Sequence, residues 1–177
     1  MHAIALDAFP PDRLALIVQW RNGHVVNAFL RPGLRTLTEV EEWYAQYFTR
    51  AENKLFAVCC AKTLVGYGTL EHLDVTNRSC EIGIVIGEPR YWNKGLGTLA
   101  VHQLTTLAFT VYHMHRVYAV IQGSNLASMR CFTKAGFRHE GRWREARYVN
   151  DTFIDLHYYA VLEHEWHHTD SRGVGTV

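Results

Sequence analysis

An apolar strand runs into a glycine-bearing loop, and that loop opens an amphipathic helix; no other feature constrains this chain more. The stretch reads Glu81-Ile82-Gly83-Ile84-Val85-Ile86, then Gly87-Glu88-Pro89-Arg90-Tyr91-Trp92, then Asn93-Lys94-Gly95-Leu96-Gly97-Thr98. Glycines let a backbone approach a ligand closely. The first N–H groups of a helix lack intrahelical partners and carry the positive end of its dipole, so a phosphate or pyrophosphate fits there. Lys94 adds a positive charge. A Walker-type loop would need a Gly-Lys-Ser/Thr ending, which is absent. A dinucleotide fingerprint would make the preceding strand the first of a parallel set, and here antiparallel candidates come before it.

Those candidates are Met1 to Ala8, Leu55 to Ala61 and Leu64 to Glu71, followed by Cys80 to Ile86. Lys62-Thr63 and Thr76-Asn77-Arg78 stand at the turns, and connections this short imply antiparallel pairing. After the loop, Leu96, Leu99, Ala100, Leu104, Leu107, Ala108 and Val111 share one helical face. Arg116 to Ile121 reads as a strand again, which makes a right-handed parallel crossover. Asp12 to Trp20 reads as a helix opened by proline. Thr38 and Glu41 have capping-box spacing, and Trp43, Tyr44, Tyr47 and Phe48 behind them read as a core-packing stripe. Leu126 to Ala135 is a further helix, with Gly136 placed to end it in a left-handed conformation. Phe137 to Val149 and Phe153 to Leu162 are strands around an Asn150-Asp151 turn. From about His164 the chain reads as a polar, frayed tail, with roughly the last ten residues disordered. The expectation is one α/β (α+β) domain over residues 1–177. Its mixed, mostly antiparallel central sheet has one parallel β-α-β step and flanking helices.

Composition narrows the function classes. Among 177 residues, 18 lysines and arginines against 17 acidic residues leave a charge of +1, unlike a dedicated nucleic-acid binder. No apolar run approaches the roughly 20 residues needed to span a bilayer. Pro10, Pro11 and Asp12 interrupt the N-terminus before any signal-peptide pattern. Cys59, Cys60, Cys80 and Cys131 make no CxxC pair and read as free thiols of a reducing cytoplasm. His164, His167 and His168 lie past the last strand and read as solvated, so no metal is expected. His113 and His115 flank a helix-to-strand turn. Arg138, Arg142, Arg144 and Arg147 read as a solvated hairpin face.

The Gly95-Leu96-Gly97 turn after the Ile82–Ile86 strand resembles the acyl-CoA pyrophosphate loop of the GNAT N-acetyltransferases. The run Gly123-Ser124-Asn125 through Ser128 to Lys134-Ala135-Gly136-Phe137 is similar to the family's late helix. Trp20-Arg21-Asn22 and Glu140-Gly141-Arg142-Trp143-Arg144-Glu145 resemble its RimJ/RimL-type branch. The resemblance covers residues 12 to 162. Two positions depart from the wider pattern. Trp92 stands where glutamine or arginine is usual, and Phe132 stands where a tyrosine often serves as general acid.

The resemblance implies a GNAT-like fold and direct transfer from acetyl-CoA to a primary amine, with no acyl-enzyme. It implies a gap between the strands Cys80–Ile86 and Arg116–Ile121 for the pantetheine arm. The backbone of Ile84, Val85 and Ile86 would pair with that arm, and the Val85 N–H would polarise the thioester carbonyl. Trp92, Asn93, Lys94, Gly95, Leu96, Gly97 and Thr98 would hold the pyrophosphate. Asn125 would contact the arm and Phe132 would pack beside it. An amine nucleophile must lose a proton. Glu81 is the first choice of base, since it shares its side of the strand with Gly83 and Val85; Glu71 is the second. Water or Ser128 would protonate the departing thiolate. The favoured acceptor is a protein N-terminal α-amine. The alternatives are a small amine (polyamine, amino sugar or antibiotic) or a CoA-binding sensor that has lost catalysis. Acceptor specificity is assigned to Asn22 to Arg35 and the final hairpin. Oligomeric state is left open, a homodimer being allowed.

Overall fold

The computed structural model describes residues 4–23, 26, 28–29 and 36–170. Ile4–Ala8 (β1) pairs antiparallel with Lys54–Cys60 (β2), which pairs antiparallel with Thr63–Asp74 (β3). Ser79–Ile86 (β4) lies antiparallel to β3, and Arg116–Gln122 (β5) lies parallel to β4. Arg138–Val149 (β6) and Thr152–Leu162 (β7) close one seven-stranded sheet in the order β1-β2-β3-β4-β5-β7-β6. The expected mixed sheet with one parallel step is therefore present. Its final hairpin turns on Asn150 and Asp151 at φ +47° and +58°, the left-handed pair that a two-residue hairpin loop requires.

Helices cover both faces. Leu14–Asn22 (α1) and Leu37–Tyr47 (α2) pack on one side, where Ile17, Trp20 and Val40 meet Leu55, Ala57 and Tyr67. The capping box of α2 is Thr36 with Glu39, not Thr38 with Glu41. Both pairs have the same spacing, but Thr36 is the residue with extended backbone; its Oγ1 accepts from the Glu39 N–H at 3.2 Å. The aromatic stripe of α2 is only partly core. Trp43 packs edge-on against Phe48, whereas Tyr47 stays 41% exposed.

Leu96–Thr110 (α3) and Leu126–Lys134 (α4) pack on the other face. The buried stripe of α3 is Leu96, Ala100, Val101, Leu104, Thr105, Ala108 and Phe109. Leu99 and Val111, expected inside, are exposed. Thr105 can join that stripe because its hydroxyl is satisfied, donating to Val101 O at 2.7 Å. Gly136 takes φ +97° after α4, as expected.

The region after β7 is not frayed from His164. Glu163–Asp170 forms a helix (α5). Trp166 is 2% exposed and packs on Phe109 and His102, and its Nε1 donates to Thr106 Oγ1 at 3.3 Å. One large side chain outweighs its polar neighbours. Trp166→Ala is expected to cost about 3–5 kcal/mol, read from the urea midpoint of the intact chain; a shift too small to resolve would return the segment to a loose tail. The expected strand residues 1–3, most of the acceptor-side segment 22–35 and the final residues 171–177 lie outside the described residues.

Candidate active site

Glu81 and Tyr118 form the last pair between β4 and β5 among the described residues. Beyond it β4 stays with β3 as far as Ile86, while β5 stays with β7 as far as Gln122. The two parallel neighbours therefore part, and the cleft they open has a volume of about 740 Å³. Ile82 to Ile86 line one wall and Ala119 to Gln122 the other.

The direction of main-chain groups along β4 follows from one bond. The Gly87 N–H donates to Val65 O at 2.9 Å, across the β3 side. Main-chain groups alternate along a strand, so those of Val85 and Gly83 also face β3. Ile84 and Ile86 turn theirs toward the gap, and Trp92 Nε1 donates to Ile86 O at 2.7 Å. The Val85 N–H, expected at the thioester, is thus committed to the sheet. The donors that face the gap are those of Ile84 and Ile86.

Trp92 anchors the loop at the mouth of the cleft. Asn93 and Gly95 take φ +57° and +78°, so the chain turns sharply into α3 with Gly95 as its cap. The Leu99 N–H donates to Gly95 O at 3.1 Å. The N–H groups of Leu96, Gly97 and Thr98 precede it and have no intrahelical acceptor. No side chain among the described residues caps this helix start, which lines the cleft. Lys94 Nζ lies 5.7 Å from the Tyr91 ring centroid. Thr98 Oγ1 lies 3.5 Å from Cys131 Sγ, whose thiol burial pushes up.

On α4, Asn125 Oδ1 accepts from the Ser128 N–H at 3.0 Å and caps the helix. Asn125 and Ser128 both border the cleft. Phe132, one turn on, is 2% exposed and meets Phe137 edge-on at 5.0 Å; it is a core ring that also forms cleft wall.

On the α1/α2 face, Glu71 and Glu81 are directly opposite across β3 and β4. The Glu81 side chain is 17% exposed, and His72 Nδ1 lies 3.5 Å from its Oε2. Burial pushes the Tyr118 phenol up, and the Glu81 charge beside it adds to that. Tyr67 accepts from Arg21 Nη1 at 3.3 Å. Arg147, expected in a solvated face, lines the cleft. Sequence reasoning missed Arg21, Tyr67, Thr69, Cys131 and Gln122 as cleft residues. Alternation would have found two of them, since Tyr67 and Thr69 share the face of Glu71. Nothing local marks Gln122, the last residue of an apolar strand.

The "Acetyltransferase (GNAT) domain" family matches residues 4–138. The "Putative ribosomal N-acetyltransferase YdaF" of Bacillus subtilis is 36% identical over 104 residues, 59% of this chain and 56% of that protein. The spermidine N(1)-acetyltransferase of Escherichia coli K12 is 22% identical over 166 residues, 93% of this chain and 89% of that protein. The chain spans about half the length of the first two Bacillus relatives, 56% and 50%. A crystal structure of spermidine N-acetyltransferase from Vibrio cholerae, in complex with CoA and spermine, superposes with a TM-score of 0.84 at 23% identity. That superposition covers 92% of this chain and 97% of the other. The sheet order, the parting of β4 from β5 and the match over residues 4–138 agree: the chain belongs to the GNAT acetyltransferase family.

Proposed function

We propose that this chain moves an acetyl group from acetyl-CoA to a primary amine, with a peptide or protein N-terminal α-amine as the favoured acceptor. The observation that carries the reading is the parting of β4 from β5 beyond Glu81 and Tyr118, with an uncapped helix start at its mouth. The residues fit the cofactor. Ile84 offers both main-chain groups to the gap and Ile86 its N–H, as an added strand would require. The N–H groups of Leu96, Gly97 and Thr98, with Asn93 and Lys94 beside them, suit a pyrophosphate. Asn125 and Phe132 line the cleft, where Asn125 would contact the pantetheine arm and Phe132 would pack beside it. Acetyl-CoA supplies a thioester that an amine can attack.

Glu81 takes the proton of the incoming ammonium, directly or through a water, with Glu71 opposite as its alternate. The Ile84 N–H would donate to the acyl oxygen, the role for which the resemblance made Val85 the candidate. Ser128 or water returns a proton to the sulfur, since Phe132 has none to give. The chain is read as a single N-acetyltransferase domain, alone or as a homodimer. Its four free cysteines suit a reducing cytoplasm. Among the described residues no helix is long and apolar enough to cross a membrane.

The carboxylates Glu71 and Glu81 line the same cleft as the cations Arg21 and Arg147. That balance suits one ammonium on an otherwise neutral chain better than a polycation. A polyamine acceptor is the second reading, favoured by the names of the relatives that align over 82% and 93% of the chain. Thiol release from acetyl-CoA, measured over N-terminal peptides, polyamines, amino sugars and aminoglycosides, tests both. Peptides are expected to turn over fastest. Faster spermidine would overturn the peptide reading, and acetyl-CoA binding without release to any amine would make the chain a sensor.

A further inference from the structure

Gln122 is 5% exposed, and its side-chain nitrogen is enclosed without an acceptor among the described residues. It closes β5 opposite Leu156 and lines the cleft. Buried amides almost always have partners, so one left without is the mark of a missing ligand group or water. The face it occupies is fixed by alternation. Val117, Ala119 and Ile121 are buried in the core that α3 and α4 cover. Tyr118, Val120 and Gln122 therefore share the other face, where Tyr118 stands level with Glu81.

We propose that Gln122 is a specificity residue, donating a hydrogen bond to a main-chain carbonyl two or three residues from the reacting amine. The inference rests on the peptide reading above and names what that acceptor must present. From Tyr118 to Gln122 is four strand residues, about 13 Å. An amine hydrogen-bonded to Glu81 takes up about 3 Å of that distance. The remaining ~10 Å is about three residues of extended chain. A carbonyl is the partner that a buried amide N–H lacks, and a polyamine has none.

The test is a ladder of alanine amides, one to four residues long, with spermidine beside it. Rates are read at saturating acetyl-CoA for the parent, Gln122→Leu and Gln122→Asn, the last keeping the amide but retracting it by one carbon. In the parent, kcat/KM is expected to rise about tenfold when the ladder reaches the second or third residue, the worth of one neutral hydrogen bond. In both variants the ratio of long to short substrates is expected to collapse toward one. An unchanged ratio in folded variants would overturn the inference and leave the peptide reading standing. A raised KM for acetyl-CoA, read by varying acetyl-CoA at fixed peptide, with the ratio preserved would also overturn it, placing Gln122 on the pantetheine arm. Turnover of spermidine but of no ladder member would sink the peptide reading and this inference together.

Discussion

Gly97→Val is expected to weaken acetyl-CoA binding on the order of a hundredfold while the chain stays folded. Gly97 lies in the first turn of α3, between the N–H groups assigned to the pyrophosphate. An ideal Cβ there would meet Cys131 Sγ at 3.3 Å and Ile86 Cγ1 at 4.0 Å. Cys131 need yield only a few tenths of an ångström, so the fold tolerates the first carbon. The two further methyls of valine would stand where the ligand must approach the backbone. Losing one or two hydrogen bonds to a charged group, at about 1.5–3 kcal/mol each, gives that weakening. Calorimetric titration with acetyl-CoA reads it, and a thermal melt checks the fold. A folded variant that binds like the parent would show that the pyrophosphate lies elsewhere.

The second large effect is on turnover. Glu81→Gln keeps the shape of the side chain and removes the base, so kcat should fall ~10²–10⁴-fold, the usual contribution of an acid–base group. Its position supports the role. The carboxylate is mostly enclosed and faces Glu71 across the sheet, with the Tyr118 phenol on its other side. Like charges placed directly opposite in a sheet are destabilising. A pair of that kind at a cleft is tolerable where a substrate cation comes between them. Glu71→Gln should cost less, and the double variant no more than Glu81→Gln alone. If Glu81→Gln keeps kcat within threefold of the parent and Glu71→Gln does not, the base is Glu71.

The sheet was legible because β2 to β5 are apolar and rich in β-branched residues and the hairpin turns carry polar ones. Thr36-Glu39 and Thr38-Glu41 satisfy the same local pattern, so the start of α2 was settled by backbone conformation, which sequence does not carry. The rotation of α3 follows from what packs on it. Trp166 and the sheet select Phe109, Val101 and Thr105 over Leu99 and Val111. In α5 the charged neighbours of Trp166 hid a buried residue that docks it. At the site, glycines and the helix start could be read directly, because they are local devices. The direction of the β4 main chain could not. It depends on which neighbour takes the Gly87 N–H, and a shift of one residue separates Val85 from Ile84. Gln122 is a long-range feature of the same kind, visible only once β4 has left β5.

Amide hydrogen exchange with and without acetyl-CoA tests the central claim most directly. The claim is that the parted strands β4 and β5 and the start of α3 form one cofactor site. Added acetyl-CoA should slow exchange at Ile84, Ile86, Leu96, Gly97 and Thr98. Val85 should change little, its N–H being held by β3 in either state. Slowing at Val85 with none at Ile84 would reverse the register assigned to β4. Binding with no protection at any of these amides would contradict the site itself.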